Sequence, residues 1–266
     1  MLVIVLRKIS LYSLVFSFLF LSSVTVLADA QQVQYKKNHF DYYRISPSKN
    51  NIRFYWKDAQ GARYFSFKRL REDLRHKNRQ LVFATNAGIF EWGYSPLGLY
   101  IEKGRTIEKL NRRSGKGNFY VKPNGVFYIS KNKAGILSTR HFAKSGIQPL
   151  YATQSGPMLV RHNIIHRFFR RASKSRKIRN GVGIDSRGHM VFVISRTPVN
   201  MYQFAEFFKR RMRCSQALYL DGNISQMYLP EIKRYDLNGN FAVIIAVSKK
   251  SRQKKKAREP LTKPGG

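Results

Sequence analysis

Three segments set polar side chains beside glycine at the ends of apolar runs: Asn86-Ala87-Gly88, Gln154-Ser155-Gly156-Pro157 and Asp221-Gly222-Asn223-Ile224-Ser225. Glycine there lets backbone approach a ligand closely, and loops at strand ends are where binding groups are commonly displayed. A fourth segment, Arg179-Asn180-Gly181-Val182-Gly183, puts an arginine beside two glycines. A guanidinium suits bidentate phosphate binding. Together these residues offer phosphate recognition near a carboxylate. Singly each is weak, since Asp-Gly and Asn-Gly also make ordinary turns.

Carboxylates are scarce, with 14 Asp+Glu against 50 Lys+Arg in 266 residues. Asp221 ends the apolar run Ala217-Leu218-Tyr219-Leu220 and is the first catalytic candidate, its alternative being a turn aspartate. Glu91, after Asn86-Ala-Gly-Ile-Phe, is a second candidate, with a loop role equally open. Asp185 lies in Asp-Ser-Arg-Gly, a type I turn sequence, and reads as structural. Arg179 leads for phosphate, with Arg196 a weaker second.

Other chemistries fit less well. Ser155 in Gln-Ser-Gly-Pro is not a nucleophile elbow. Cys214, the single cysteine, excludes an intramolecular disulfide framework and reads as a packing residue. His162 and His166 are four apart, but Asn163 and Ile164-Ile165 between them suit a hairpin, so no metal and no cofactor is expected. The Arg112–Gly117 loop lacks Walker spacing and reads as a basic turn.

The elements that must position these residues are mostly strands. His39–Ile45, Ile52–Trp56, Leu81–Thr85 and Phe241–Val247 read as strands. Hairpins are expected around Lys103-Gly104, around Pro123-Asn124-Gly125 (joining 118–122 to 126–129), and across Asp185-Ser-Arg-Gly. Phe67–Lys77 and Met201–Arg213 fit helices, the second opened by Asn200 with Gln203 three residues on, a capping-box pattern. The order does not alternate βα, so the fold class expected is α+β: a strand-rich mixed sheet with few helices, in a single domain.

Residues 1–30 read as an export signal. Arg7 and Lys8 precede an apolar run to Leu27, and Ala28-Asp29-Ala30 is a small-x-small cleavage pattern. The alternative is an uncleaved anchor. The domain is then 31–247, followed by a basic tail, 248–266, expected to be disordered. Outside the cytoplasm, the chain's net charge of +36 points to anionic envelope polymers and surfaces rather than nucleic acid, with plain solubility of a basic protein the alternative. Nothing resembles a specific nucleic-acid-binding signature.

The stretches TNAGIFEWGYSPLGLYIEKGR (85–105), NFYVKPNGVFYI (118–129), ATQSGPMLV (152–160), RNGVGID (179–185) and LYLDGNISQMY (218–228) occur in the order of a known family. The chain resembles the phosphodiester glycosidase domain family, many of whose members are secreted bacterial proteins. The resemblance implies an exported hydrolase that cleaves a sugar C1–O–phosphate bond in a phosphorylated glycan or glycosyl-phosphate. It implies Asp221 as a catalytic carboxylate, with Glu91, from its position after Asn86-Ala-Gly-Ile-Phe, the second candidate. Asn86, Gly88, Ser155, Gly156, Arg179, Asn180, Gly222, Asn223 and Ser225 would bind substrate. A non-catalytic module for anionic cell-envelope polymers is the alternative, with electrostatic attachment to an envelope surface open in either case.

Overall fold

A computed structural model describes residues 28–48, 52–221 and 224–251. Gly222, Asn223, most of the expected signal and the tail from Arg252 lie outside the described residues. The seven-stranded sheet has the order Ala28–Tyr35, Asn38–Ile45, Met190–Ser195, Asn180–Asp185, Cys214–Asp221, Met158–Arg161, Ile164–Ile165. A five-stranded sheet orders Ala134–Ser138, Gly125–Ile129, Tyr151–Ser155, Tyr100–Glu102 and Arg105–Glu108. A second five-stranded sheet orders Arg234–Tyr235, Met227–Leu229, Arg79–Asn86, Ile244–Lys250 and Ile52–Tyr55. Phe90–Glu91 and Ser95–Pro96 form a short ribbon. Among the described residues three helices accompany four sheets in one body, a strand-rich α+β fold with few helices. The sheets are antiparallel rather than mixed, because among the described residues each strand is hydrogen-bonded only to antiparallel neighbours; the 190–195 and 214–221 strands, joined through helix 201–211, run parallel to each other but are separated by the 180–185 strand.

Aromatic side chains from the three larger sheets meet in one core. Tyr43 stacks on Phe83 at 4.5 Å between ring centroids, Phe83 meets Phe192 at 5.1 Å, and Phe127 meets Phe192 edge-on at 5.8 Å. The other face of the seven-stranded sheet is covered by helix Met201–Glu206 and its π-helical continuation Phe207–Arg211. Phe204, Phe207 and Phe208 are the buried face foreseen from their spacing. The capping box forms: Gln203 N donates to Asn200 Oδ1 at 2.9 Å, and Asn200 N to Gln203 Oε1 at 3.0 Å. Helix Phe67–His76 covers the other face of the 79–86 sheet with Phe67, Leu70 and Leu74.

Two local expectations change. No hairpin joins 118–122 to 126–129: Asn118–Tyr120 is a 3-10 turn, and the 125–129 strand pairs with 134–138 and 151–155. Asn124 explains this, since its Nδ2 donates to Phe119 O at 3.0 Å and its Oδ1 accepts from Thr139 Oγ1 at 2.8 Å. Those bonds tie the Pro123-Asn124 bend to the 3-10 turn and the next helix. The closing strand runs past Val247 to Lys250, with Ser248 buried and gripped by Arg79 Nε and Nη2 at 2.9 and 2.8 Å. Residues 248–250 have no apolar side chains, but backbone pairing carries them into the sheet.

The first strand begins at Ala28, inside the expected cleavage pattern. Asp29 accepts from Tyr42 Oη at 2.9 Å and Arg44 Nη1 at 3.1 Å. Burial, with the Asp29 hydrogen bond adding, pushes the Tyr42 phenol up to about 12.

Gly183 shows why glycines interrupt the 180–185 strand. A Cβ there would lie 2.6 Å from Cys214 Sγ and 2.8 Å from Phe208 Cδ1, so its absence lets the helix seat on the sheet. Burial also raises the Cys214 thiol pKa, consistent with packing rather than nucleophilic chemistry. Gly183→Ala is expected to destabilise the protein by about 1–3 kcal/mol through overpacking, several degrees in Tm. An unchanged melting temperature would contradict this packing.

Candidate active site

The site is built where the 79–86, 180–185 and 214–221 strands end together. Asn180 lies opposite Asp221 in the antiparallel register, whereas Gly181 lies opposite Tyr219. Leu220 is therefore the extra residue of a β-bulge. Bulges re-aim the chain locally and recur beside active sites.

Asn180 is fully buried and joins the strands. Its Nδ2 lies 3.0 Å from Thr85 Oγ1, 2.9 Å from Asn86 O and 2.9 Å from Asn86 Oδ1. Its Oδ1 accepts from Asp221 N at 3.0 Å and from Ser225 Oγ at 3.3 Å. Ser225 Oγ also reaches Asp221 O. Thr85 Oγ1 passes the network on to Gln226 O at 3.0 Å, and Gln226 N donates to Asn86 Oδ1 at 3.0 Å. Two donors converge on Asn86 Oδ1, which fixes the orientation of that amide. Its Nδ2 is left buried with no hydrogen-bond partner, and so is Gln226 Oε1 on the residue bonded to it. Buried polar groups are normally paired, so this donor and this acceptor are free for a further partner.

Arg179 lies on the other side of this strand end. It is 2 % exposed, and Nε, Nη1 and Nη2 donate to Val199 O (2.8 Å), Tyr219 Oη (2.9 Å) and Ser175 O (3.2 Å). All three acceptors are neutral, and no carboxylate pairs with Arg179 among the described residues. The result is a buried guanidinium held in a fixed orientation by three neutral acceptors. Burial pushes the Tyr219 phenol up to about 12, with Arg179 opposing and Asp221 adding, so this phenol feels both groups.

The structure therefore gathers Asn86, Asn180, Asp221 and Ser225 into one hydrogen-bonded set, while Arg179 bonds Tyr219, two residues before Asp221 in the chain. The other candidates are not part of this hydrogen-bonded set. Glu91 is exposed on the 90–96 ribbon. Ser155 Oγ is spent on Leu220 O at 2.7 Å. Gly88 and Gly156 serve close packing: a Cβ would come within 2.4 Å of Gln154 O at Gly88 and 2.6 Å of Asn124 Cβ at Gly156. Arg196 Nε lies 3.7 Å from Asp41 Oδ2. His162 and His166 take separate partners, His166 Nε2 meeting Lys122 O at 3.0 Å and His162 Nδ1 meeting Gln216 Nε2 at 3.4 Å.

Thr85, Tyr219 and Gln226 are parts of the site that motif reading missed. Thr85 and Tyr219 look like strand fillers in the sequence, and their roles come only from strands distant in the chain. Asp41 is a further buried carboxylate, in register with Ile194, which is itself in register with Asn180. Strand spacing puts its backbone about 14 Å from that of Asp221. That exceeds the separation of roughly 5–9.5 Å between paired glycosidase carboxylates. Asp41 is instead held by Arg234 Nη1 at 2.8 Å.

The fold and the family are known from other proteins. The zebrafish N-acetylglucosamine-1-phosphodiester alpha-N-acetylglucosaminidase catalytic domain, auto-inhibited by its pro-peptide, superposes with a TM-score of 0.57 at 14% identity, over 85% of this chain and 84% of that one. A hypothetical protein from Synechocystis superposes with a TM-score of 0.50 at 13% identity, over 82% of this chain and 61% of that one. These show a shared fold. In sequence, the chain is 40% identical over 187 residues to the uncharacterized protein YigE of Escherichia coli (strain K12), covering 70% of this chain and 73% of that protein. The phosphodiester glycosidase family pattern matches residues 79–257, two-thirds of the chain and every member of the Asn86–Asn180–Asp221–Ser225 set, and the chain belongs to that family.

Proposed function

We propose that the protein is an exported hydrolase that cleaves the bond between a sugar's anomeric carbon and a phosphodiester oxygen, in a phosphorylated glycan or glycosyl-phosphate. The observation that carries this reading is the pair of buried, unpartnered polar atoms, Asn86 Nδ2 and Gln226 Oε1, beside Asp221. A sugar hydroxyl is donor and acceptor at once and satisfies both. Arg179 supplies charge for the phosphate from the Tyr219 side.

The chemistry then needs little acid catalysis. The C1–O bond breaks with its electrons leaving on the phosphate oxygen, which is stable as an anion without being protonated. Positive charge develops at C1 and the ring oxygen, and the Asp221 carboxylate opposes it. Water adds to C1 and gives up a proton, with Asp221 as the acceptor. The products are a reducing sugar and a phosphomonoester. Trp92, fully exposed at the tip of the 90–96 ribbon that follows Asn86, offers an aromatic face to the C–H side of a sugar ring.

The test is release of reducing sugar from an N-acetylglucosamine-1-phosphodiester by the purified protein. Asp221→Asn, nearly isosteric, is expected to lower kcat at least about a thousandfold while the protein stays folded. Unchanged turnover would remove Asp221 from the chemistry, and binding without any release would make the protein a binding module. Arg179→Lys keeps the charge and loses the planar fork. Its kcat/KM for the phosphodiester is expected to fall about 10–100-fold. An equal fall for an uncharged glycoside would show that Arg179 does not read the phosphate.

A further inference from the structure

A basic groove shares no lining residue with the Asp221 set. A cavity of about 520 Å³ opens between the Pro123-Asn124 bend and helix Thr139–Phe142, and a second of about 330 Å³ adjoins it under the 158–167 hairpin. Lys122, Pro123 and Arg161 line both, so the two are lobes of one groove. Arg112, Arg140 and Lys144 line the larger lobe and Arg167 the smaller, and neither lobe is lined by a carboxylate. Among the described residues none of these six cations takes part in an ion pair. A cavity of about 360 Å³ beside helix 67–76 differs, because Glu72 stands among its Arg71, Arg75 and Arg79. The groove's charge is therefore more than the general basicity of the chain.

The walls are fixed even though the cations are exposed. Asn124 is bonded to Phe119 O and Thr139 Oγ1, and the His166 ring is bonded to Lys122 O and stacked on Phe169 at 4.8 Å. No Phe, Tyr or Trp lines either lobe. Single-stranded nucleic acids are held by base stacking on such rings as well as by charge, so the groove suits phosphates joined by units without bases. Its arginine forks match phosphate oxygens bidentately.

We propose that this groove binds a phosphodiester-linked polyol or glycan chain, with successive phosphates of one chain in the two lobes. Its lining residues are not those of the Asp221 set, and its test reads binding without turnover, so it stands or falls apart from the hydrolase reading. Fluorescence anisotropy of a labelled glycerol-phosphate decamer with the full-length protein reads it directly. Arg112→Ala/Arg140→Ala/Arg161→Ala is expected to weaken binding at least about tenfold, given three lost charge-assisted contacts. Lys68→Ala/Arg75→Ala/Arg210→Ala removes the same charge from exposed positions elsewhere and is expected to weaken it by less than about threefold. Asp221→Asn is expected to leave it unchanged. The groove positions are exposed, where substitution rarely disturbs folding, and each single variant is measured beside the triple one. Equal losses in the two triple variants, or a loss only on removing residues 252–266, would overturn the proposal. Tighter, groove-dependent binding of a labelled thymidine decamer would overturn it in favour of nucleic acid.

Discussion

The structure turns on one side-chain amide. Asn180, fully buried, spends its Nδ2 on Thr85 and Asn86 of one sheet and its Oδ1 on Asp221 N and Ser225 of the adjoining chain. A lone amide in an apolar core costs several kcal/mol if its groups go unpaired, whereas a paired one fixes geometry. Asn180 therefore sets how the seven-stranded sheet and the 79–86 sheet meet at their ends. The placement of Asp221, the orientation of Asn86 and the path of 225–227 follow from it.

The packing beneath serves that junction. The Tyr43, Phe83, Phe127 and Phe192 rings lock three sheets together below the strand ends. Gly183 lets Phe208 press on the opposite face, which holds the 180–185 strand from behind. Arg179 and Asn180 are successive residues of that strand region and serve opposite sides, as side-chain alternation requires. One side carries the Asn180 amide and its bonded set, the other the buried Arg179 guanidinium.

Much of this was legible where the signal was local. Asn200 and Gln203 announced a capping box, and Asp185-Ser-Arg-Gly announced the turn between the 180–185 and 190–195 strands. His162 and Asn163 sit in a hairpin turn with φ of 49° and 61°. Asn86, Asn180, Asp221 and Ser225 were visible as polar residues at strand ends. Contacts across the fold were not legible. The bulge at Leu220 leaves no mark in sequence, and Thr85 reads as a strand filler until Asn180 is placed against it. Glycines were ambiguous, since Gly88, Gly156 and Gly183 signal close packing of protein on protein as strongly as approach to a ligand. Asn124 misled in the same way, looking like a hairpin turn while bonding across two loops.

The central claim is that the buried Asn86 amide is the donor that receives the substrate. The most direct measurement is the ¹H–¹⁵N side-chain amide resonance of Asn86 in Asp221→Asn protein, titrated with an N-acetylglucosamine-1-phosphodiester. Saturable movement of that resonance, with the Asn180 amide resonance nearly still, is what the account predicts. Saturable binding that leaves the Asn86 amide unmoved would contradict it.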